Sequence, residues 1–138
     1  MDNLGADKID VSNRMESKEG LDALFKYATE GILITNEKGE IVKVNPSAER
    51  LFGYEKGELV NKKIEVLVPQ RFTKAHEEHR RLYNEHPRAR SMGTGLQLYG
   101  RTKENKEFPV EVSLSPYSSP HGKFVIVFIT DVTERKKS

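Results

Sequence analysis

Apolar residues recur along this chain with a helical spacing at first, then with strand spacings on either side of a long helix, and the order of these patterns predicts the architecture. From Lys18 the set Leu21, Leu24, Phe25 and Ala28 falls at i, i+3, i+4 and i+7, one stripe of an amphipathic helix over residues 18–30. Ile32–Thr35 and Ile41–Val44 are short β-branched runs, and Asn36-Glu-Lys-Gly39 between them offers Asn and Gly for the positive-φ positions of a tight hairpin. Asn45 is placed to cap a helix, Pro46 presets its first φ, Ala48, Leu51 and Phe52 form its buried stripe, and Gly53 stops it. Two shorter helical pieces are predicted at Glu55–Val60 and Ile64–Val68.

Pro69 opens the strongest helical pattern, which runs to about Glu85. Phe72, Ala75, His76, His79, Leu82 and Tyr83 share one face of it, so two histidines are expected to point inward, with Lys74/Glu78 and Glu77/Arg81 spaced to pair on the outside. After Gly93-x-Gly95, Leu96 and Leu98 alternate with polar neighbours. Lys103-Glu-Asn-Lys106 then turns the chain into Phe108, Val110, Val112 and Leu114, which alternate with Pro109, Glu111, Ser113 and Ser115. Pro109 lacks an N–H and therefore belongs at an edge or early in its strand. A turn-rich loop, Tyr117–Gly122, precedes Lys123–Thr130, an apolar run long enough for a central strand. Two strands, several helices and three strands make an α+β domain with helices packed over an antiparallel sheet.

Composition narrows the function. The 138 residues fit one domain, and 23 basic against 21 acidic side chains give a net charge of +2, too balanced to steer the molecule toward nucleic acid. Arg71 to Arg90 is locally basic and reads as a solvated helix face. The absence of Cys rules out a disulfide framework, a thiolate zinc site and a cysteine nucleophile. No apolar run reaches the length of a membrane span, and Met1-Asp-Asn-Leu-Gly has no signal-peptide pattern, so a cytoplasmic module without membrane insertion is expected. His76 and His79 with Glu77 or Glu78 do not make a zinc-hydrolase arrangement, and no nucleophile shares a predicted cleft with a base, so neither a metal site nor catalysis is expected.

Glu30-Gly-Ile-Leu-Ile-Thr35, Asn45-Pro-Ser-Ala-Glu-Arg-Leu-Phe-Gly-Tyr54, Leu98–Ser115 and the terminal Asp131-x-Thr133 together resemble the PAS family of sensory domains. The resemblance covers about Leu21 to Lys136. It implies a five-stranded antiparallel sheet in the order 2-1-5-4-3 with helices on one face, preceded by the N-terminal amphipathic helix read from the stripe above. The organisation expected is a polar tail at 1–17, the N-terminal helix at 18–30, the domain at 31–133 and the start of a connector at 134–138.

Such domains serve as input modules of histidine kinases, cyclic-dinucleotide enzymes and transcription regulators, so a covalently linked output domain is the implied partner. Asp131 and Thr133 match the family's strand-to-helix junction and are the expected signal relay. A small-molecule ligand is expected between the long helix and the sheet, in a pocket lined by Phe72, His76, His79, Leu96, Leu98 and Val112. Val68–His76 is further similar to haem-binding oxygen-sensor PAS domains, in which the residue at His76 ligates iron. Leu96, however, stands where those sensors carry an oxygen-binding Arg. The cofactor is otherwise undetermined, and the lack of Cys excludes the flavin adduct of the light-sensing relatives. A ligand-free homodimerisation module is the competing reading, with Leu21, Leu24, Phe25 and Ala28 as its interface.

Overall fold

In a computed structural model, which describes residues 18–87, 90–92 and 98–134 (90–92 by backbone), the chain folds around one antiparallel sheet. The expected tail at 1–17, the Gly93-x-Gly95 break with Leu96, and the end of the connector lie outside the described residues. The strands are β1 (Gly31–Asn36), β2 (Ile41–Val44), β3 (Arg90–Met92), β4 (Leu98–Arg101), β5 (Glu107–Ser119) and β6 (Gly122–Asp131). Their order is β2-β1-β6-β5, followed by β3 and β4 on the same free edge of β5. Because β3 pairs with Val112–Leu114 and β4 with Glu107–Val110, the two occupy successive stretches of one ladder, and the sheet is five strands wide in the order 2-1-5-4-3.

Alternation decides which face is inside. Leu33, Val127 and Leu114 lie in one row across β1, β6 and β5, and Gly31, Ile129 and Val112 lie in the next. These rows face Ala48 and Phe52 of α2 (Pro46–Phe52) together with Leu59, Ile64 and Leu67, and form the buried core. Each fully buried large side chain among them, such as Leu33 or Phe52, contributes about 1.5–3 kcal/mol by leaving water. β6 is central as expected, yet Phe124, Ile126 and Phe128 on its other face are only half-buried, so its buried residues, Val127 and Ile129, lie on one side alone. Pro109 is the third residue of β5 and precedes the β5–β6 ladder, which begins at Val110, so its missing N–H removes no bond to β6.

Several local expectations need correction. Asn36 does not take a positive φ in the first hairpin; Gly39 alone does, at 78°. Asn36 instead accepts the N–H groups of Lys38 and Glu40 on its side-chain oxygen, building the turn from within. Residues 56–61 are successive turns and not a helix, because Gly57 and Asn61 both lie in the left-handed region. Ile64–Leu67 is a 3-10 turn, η1. The long helix begins with another, η2 (Gln70–Phe72), and becomes α-helical only over α3 (Thr73–Glu85). Arg81 pairs with Glu78 and Glu85, since its guanidinium reaches one turn in each direction.

The largest correction concerns the face of α3. No residue of α3 is buried, Phe72 and Leu82 are more than two-fifths exposed, and Ala75 and His79 face solvent. The side toward the domain carries His76, Arg80 and Asn84, spaced four residues apart, and its contacts are polar. A helix so short is marginal by itself, so those contacts decide where it sits. The N-terminal helix α1 covers residues 18–27, and its stripe is split. Leu21 and Leu24 are exposed, whereas Phe25 lies under the Lys43 ammonium, 4.6 Å from the ring centre, and Ala28 accepts the Ser47 hydroxyl on its carbonyl.

Candidate functional site

Two places gather chemistry. The first is the junction of α3 and η1. Glu65 is buried because η1 is anchored by Ile64 and Leu67 on either side of it, which leaves its carboxylate directed at α3. His76 Nδ1 lies 2.6 Å from Glu65 Oε2, so the ring proton sits on Nδ1 and is donated to the carboxylate. Arg80 Nε donates to the same oxygen at 3.1 Å and Nη2 to the other at 3.3 Å. Arg101 of β4 donates to the backbone oxygens of Glu65 and Val66, and so ties η1 to the sheet. Burial raises the pKa of Glu65, but the hydrogen bonds from His76 and Arg80 outweigh it and hold the carboxyl below its ordinary 4.5.

That shift has a sign that can be tested. A carboxyl whose folded pKa lies below its unfolded value contributes stability that is fully present above about 4.5 and disappears as pH falls through the lowered folded value. The wild type is therefore expected to lose urea resistance below pH 4.5 more steeply than Glu65→Gln, while the two profiles run parallel above it. Profiles that stay parallel through the acid range would remove Glu65 as a source of acid sensitivity.

The second place is the exit of β6. Asp131 Oδ1 accepts the Thr133 N–H at 2.9 Å and also its hydroxyl, starting a helical turn at residues 133–134. The cap is thus Asp131, and Thr133 is the residue capped. Val132 is buried between them and donates its N–H to the Pro109 oxygen at 3.1 Å. Thr130 donates to Glu30 at 3.3 Å, so the start and the end of the domain meet at one edge.

The PAS domain pattern matches residues 29–134. The chain belongs to the PAS domain family. It is 27% identical over 122 residues to the oxygen sensor protein DosP of Escherichia coli, covering 86% of this chain and 15% of that protein. It is 22% identical over 118 residues to the sensor protein FixL of Bradyrhizobium diazoefficiens, covering 86% and 23%. The chain therefore spans less than a quarter of the length of either relative. A solved PAS domain from a two-component sensor histidine kinase superposes with a TM-score of 0.66 at 17% identity, over 86% of this chain and 98% of that one.

Within this PAS domain the expected pocket residues are not all brought together. Leu98 and Val112 lie half-buried on the inner face of the sheet against the core. Phe72 instead stacks under the Arg71 guanidinium, 4.5 Å from its ring centre, and His79 is exposed. A cleft of about 400 Å³ opens elsewhere, between Asn84 and Pro87 at the end of α3 and Tyr117, Lys123 and Phe124 of the β5–β6 hairpin; among the described residues, none of those expected in the pocket lines it.

Haem would take His76 as its axial ligand, and Nδ1 on a carboxylate would leave Nε2 with the lone pair that iron needs. A macrocycle also needs an apolar slot. The polar partners of this imidazole are Glu65 and, through it, Arg80, and the ring belongs to a helix that buries no residue. The described residues around His76 do not fit a haem. Glu65 and Arg80 escaped the periodicity argument, although a lone carboxylate within the apolar run Ile64-Glu-Val-Leu-Val68 was a signal for the first.

Proposed function

We propose that this PAS domain is the input module of a bacterial signal-transduction protein of the histidine-kinase kind, working in the cytoplasm and joined to an output domain. A small ligand in the helix–sheet region would act on the sheet, and Asp131 and Thr133 would pass the change to the following helix. The observation that carries the reading is the Asp131 cap at the end of central β6, coupled to β5 through the bond from Val132 to Pro109. Any displacement of β5 against β6 moves that cap, and with it the direction of the helix it starts. The small share that the chain makes up of its sensor relatives is consistent with an attached output domain.

With a kinase output joined after Ser138, Asp131→Ala and Thr133→Ala are expected to leave the domain folded, costing about 1 kcal/mol at an exposed cap. The ratio of stimulated to basal activity should fall toward one. An unchanged ratio in both variants rejects the relay.

A second reading, homodimerisation, is favoured by α1. Leu21, Leu24 and Tyr27 are 65%, 67% and 73% exposed, a face that a short helix does not leave in water without cost. Phe25 and Ala28 already serve the domain's own packing, so of the expected interface Leu21 and Leu24 remain, and the exposed Tyr27 joins them. Leu24→Asp is expected to halve the mass seen in sedimentation. A mass that does not change removes α1 from the interface.

A further inference from the structure

Helix α3 lies against the domain without burying a residue, and its contacts converge. His76 and Arg80, one turn apart, both end on Glu65, whose side chain is 8% exposed against 33% for His76 and 22% for Arg80. The Arg80 side chain also lies against Gly39, where an added Cβ would come within 2.4 Å of Cζ, so the first hairpin forms the other wall of its slot. Further along the helix, Asn84 Nδ2 donates to the Glu37 oxygen at 2.8 Å. Ahead of the helix, Arg71 forms an exposed bidentate pair with Glu107 of β5 and fixes η2 to the sheet.

Exposed pairs and single exposed hydrogen bonds contribute little, whereas charge-assisted bonds to a buried carboxylate are the strong ones. We propose that α3 is a releasable cover, anchored at η2 and held shut by the carboxylate of Glu65, so that neutralising or displacing Glu65 frees α3 while the sheet stays folded. This goes beyond the relay reading and does not rest on any ligand being bound.

The anion is held from α3, and basic side chains of the adjoining elements fix the turn that carries it. Arg80 and His76 reach it from α3, Arg101 of β4 is bound to the carbonyls of η1, and Lys63 before η1 donates to the Lys38 oxygen of the hairpin. The remaining charged groups of α3, Lys74, Glu77, Glu78, Arg81 and Glu85, are exposed, with Arg81 engaged by Glu78 and Glu85. Without the Glu65 charge, His76 and Arg80 have no anion left on η1, and the exposed Phe72, Ala75 and Leu82 add little apolar hold. Local release of this kind is the low-energy opening expected of an element with few buried contacts.

Hydrogen–deuterium exchange of the full chain at neutral pH, resolved by peptide, tests the cover in Glu65→Gln and Arg80→Met. Exchange across residues 73–85 is expected to accelerate by about tenfold or more in each variant, with β5 and β6 as slow as in the wild type. Unchanged protection of α3 overturns the proposal, and so does acceleration that rises equally in α3 and the central strands. If Glu65→Gln does not fold, Arg80→Met decides alone, since it removes two of the three bonds to Glu65 from a helix with no buried residue.

Discussion

Asn45→Ala is expected to be among the most damaging single changes in the domain, lowering its stability by about 3 kcal/mol or more and its melting temperature by about 10 °C. The side chain is wholly buried and uses all four of its hydrogen-bonding positions. Its oxygen accepts the N–H groups of Ile32 at 2.8 Å and Ala48 at 2.9 Å, joining β1 to the first turn of α2. Its amide donates to the Phe25 oxygen at 2.9 Å and the Glu30 oxygen at 3.0 Å, joining the end of α1 to the same point. Loss of the cap alone costs about 1 kcal/mol, and each buried backbone group left without a partner adds about 1–3 kcal/mol.

Asn45→Asp separates the two halves of this role, because it keeps both acceptor bonds but sets a carboxylate against two carbonyl oxygens. The Asp variant should hold α2 and release α1, seen as rapid proteolysis near residues 25–30 in a domain whose sheet still melts cooperatively. A melting curve for Asn45→Ala within a degree or two of wild type would show that the four bonds carry no net stability.

This hub shows how far sequence reading reached. Asn45 was legible as a cap because its signal is local: a capping residue, Pro46, then an apolar stripe ending at Gly53, which takes the left-handed φ of 78° required there. The same holds for Phe108, Val110, Val112 and Leu114, whose alternation is set by the pleat itself. What α1 contributes to Asn45 was not legible, since its bonds come from backbone oxygens 15 and 20 residues away and leave no side-chain signature.

The position of α3 was misread for a related reason. Its apolar stripe is real, but a pattern states only that two faces differ, not which one the tertiary structure selects. The choice here fell to Glu65, 11 and 15 residues from its partners and on a separate turn. The edge of β5 hid the remaining element, because β3 is three residues long and its pairing is fixed by β5 and not by its own composition. Asp131 and Thr133, proposed above as the relay, were singled out by contrast through family resemblance. The structure adds only which of the two residues is the cap.

The second large effect concerns the inner face of the sheet, where Phe52→Ala is expected to cost about 3–5 kcal/mol. Phe52 is 1% exposed and meets Phe108 with ring centres 5.4 Å apart and planes tilted by 53°. Gly100 of β4 lies directly beneath: a Cβ built there would be 2.9 Å from Phe52 Cε1 and 3.1 Å from Phe108 Cζ. Glycine is thus required at this position by lack of space, and Gly100→Ala should cost about 1–3 kcal/mol by forcing the rings apart. The two sites must then be coupled. In a Phe52→Leu background the shorter side chain makes room for the new methyl, so Gly100→Ala should cost at least about 1 kcal/mol less there than in the wild type. Urea unfolding of the two single variants and the double variant measures the difference. If the two costs simply add, the ring of Phe52 does not rest on Gly100, and the packing of α2 against β4 that keeps the inner face closed is not as described.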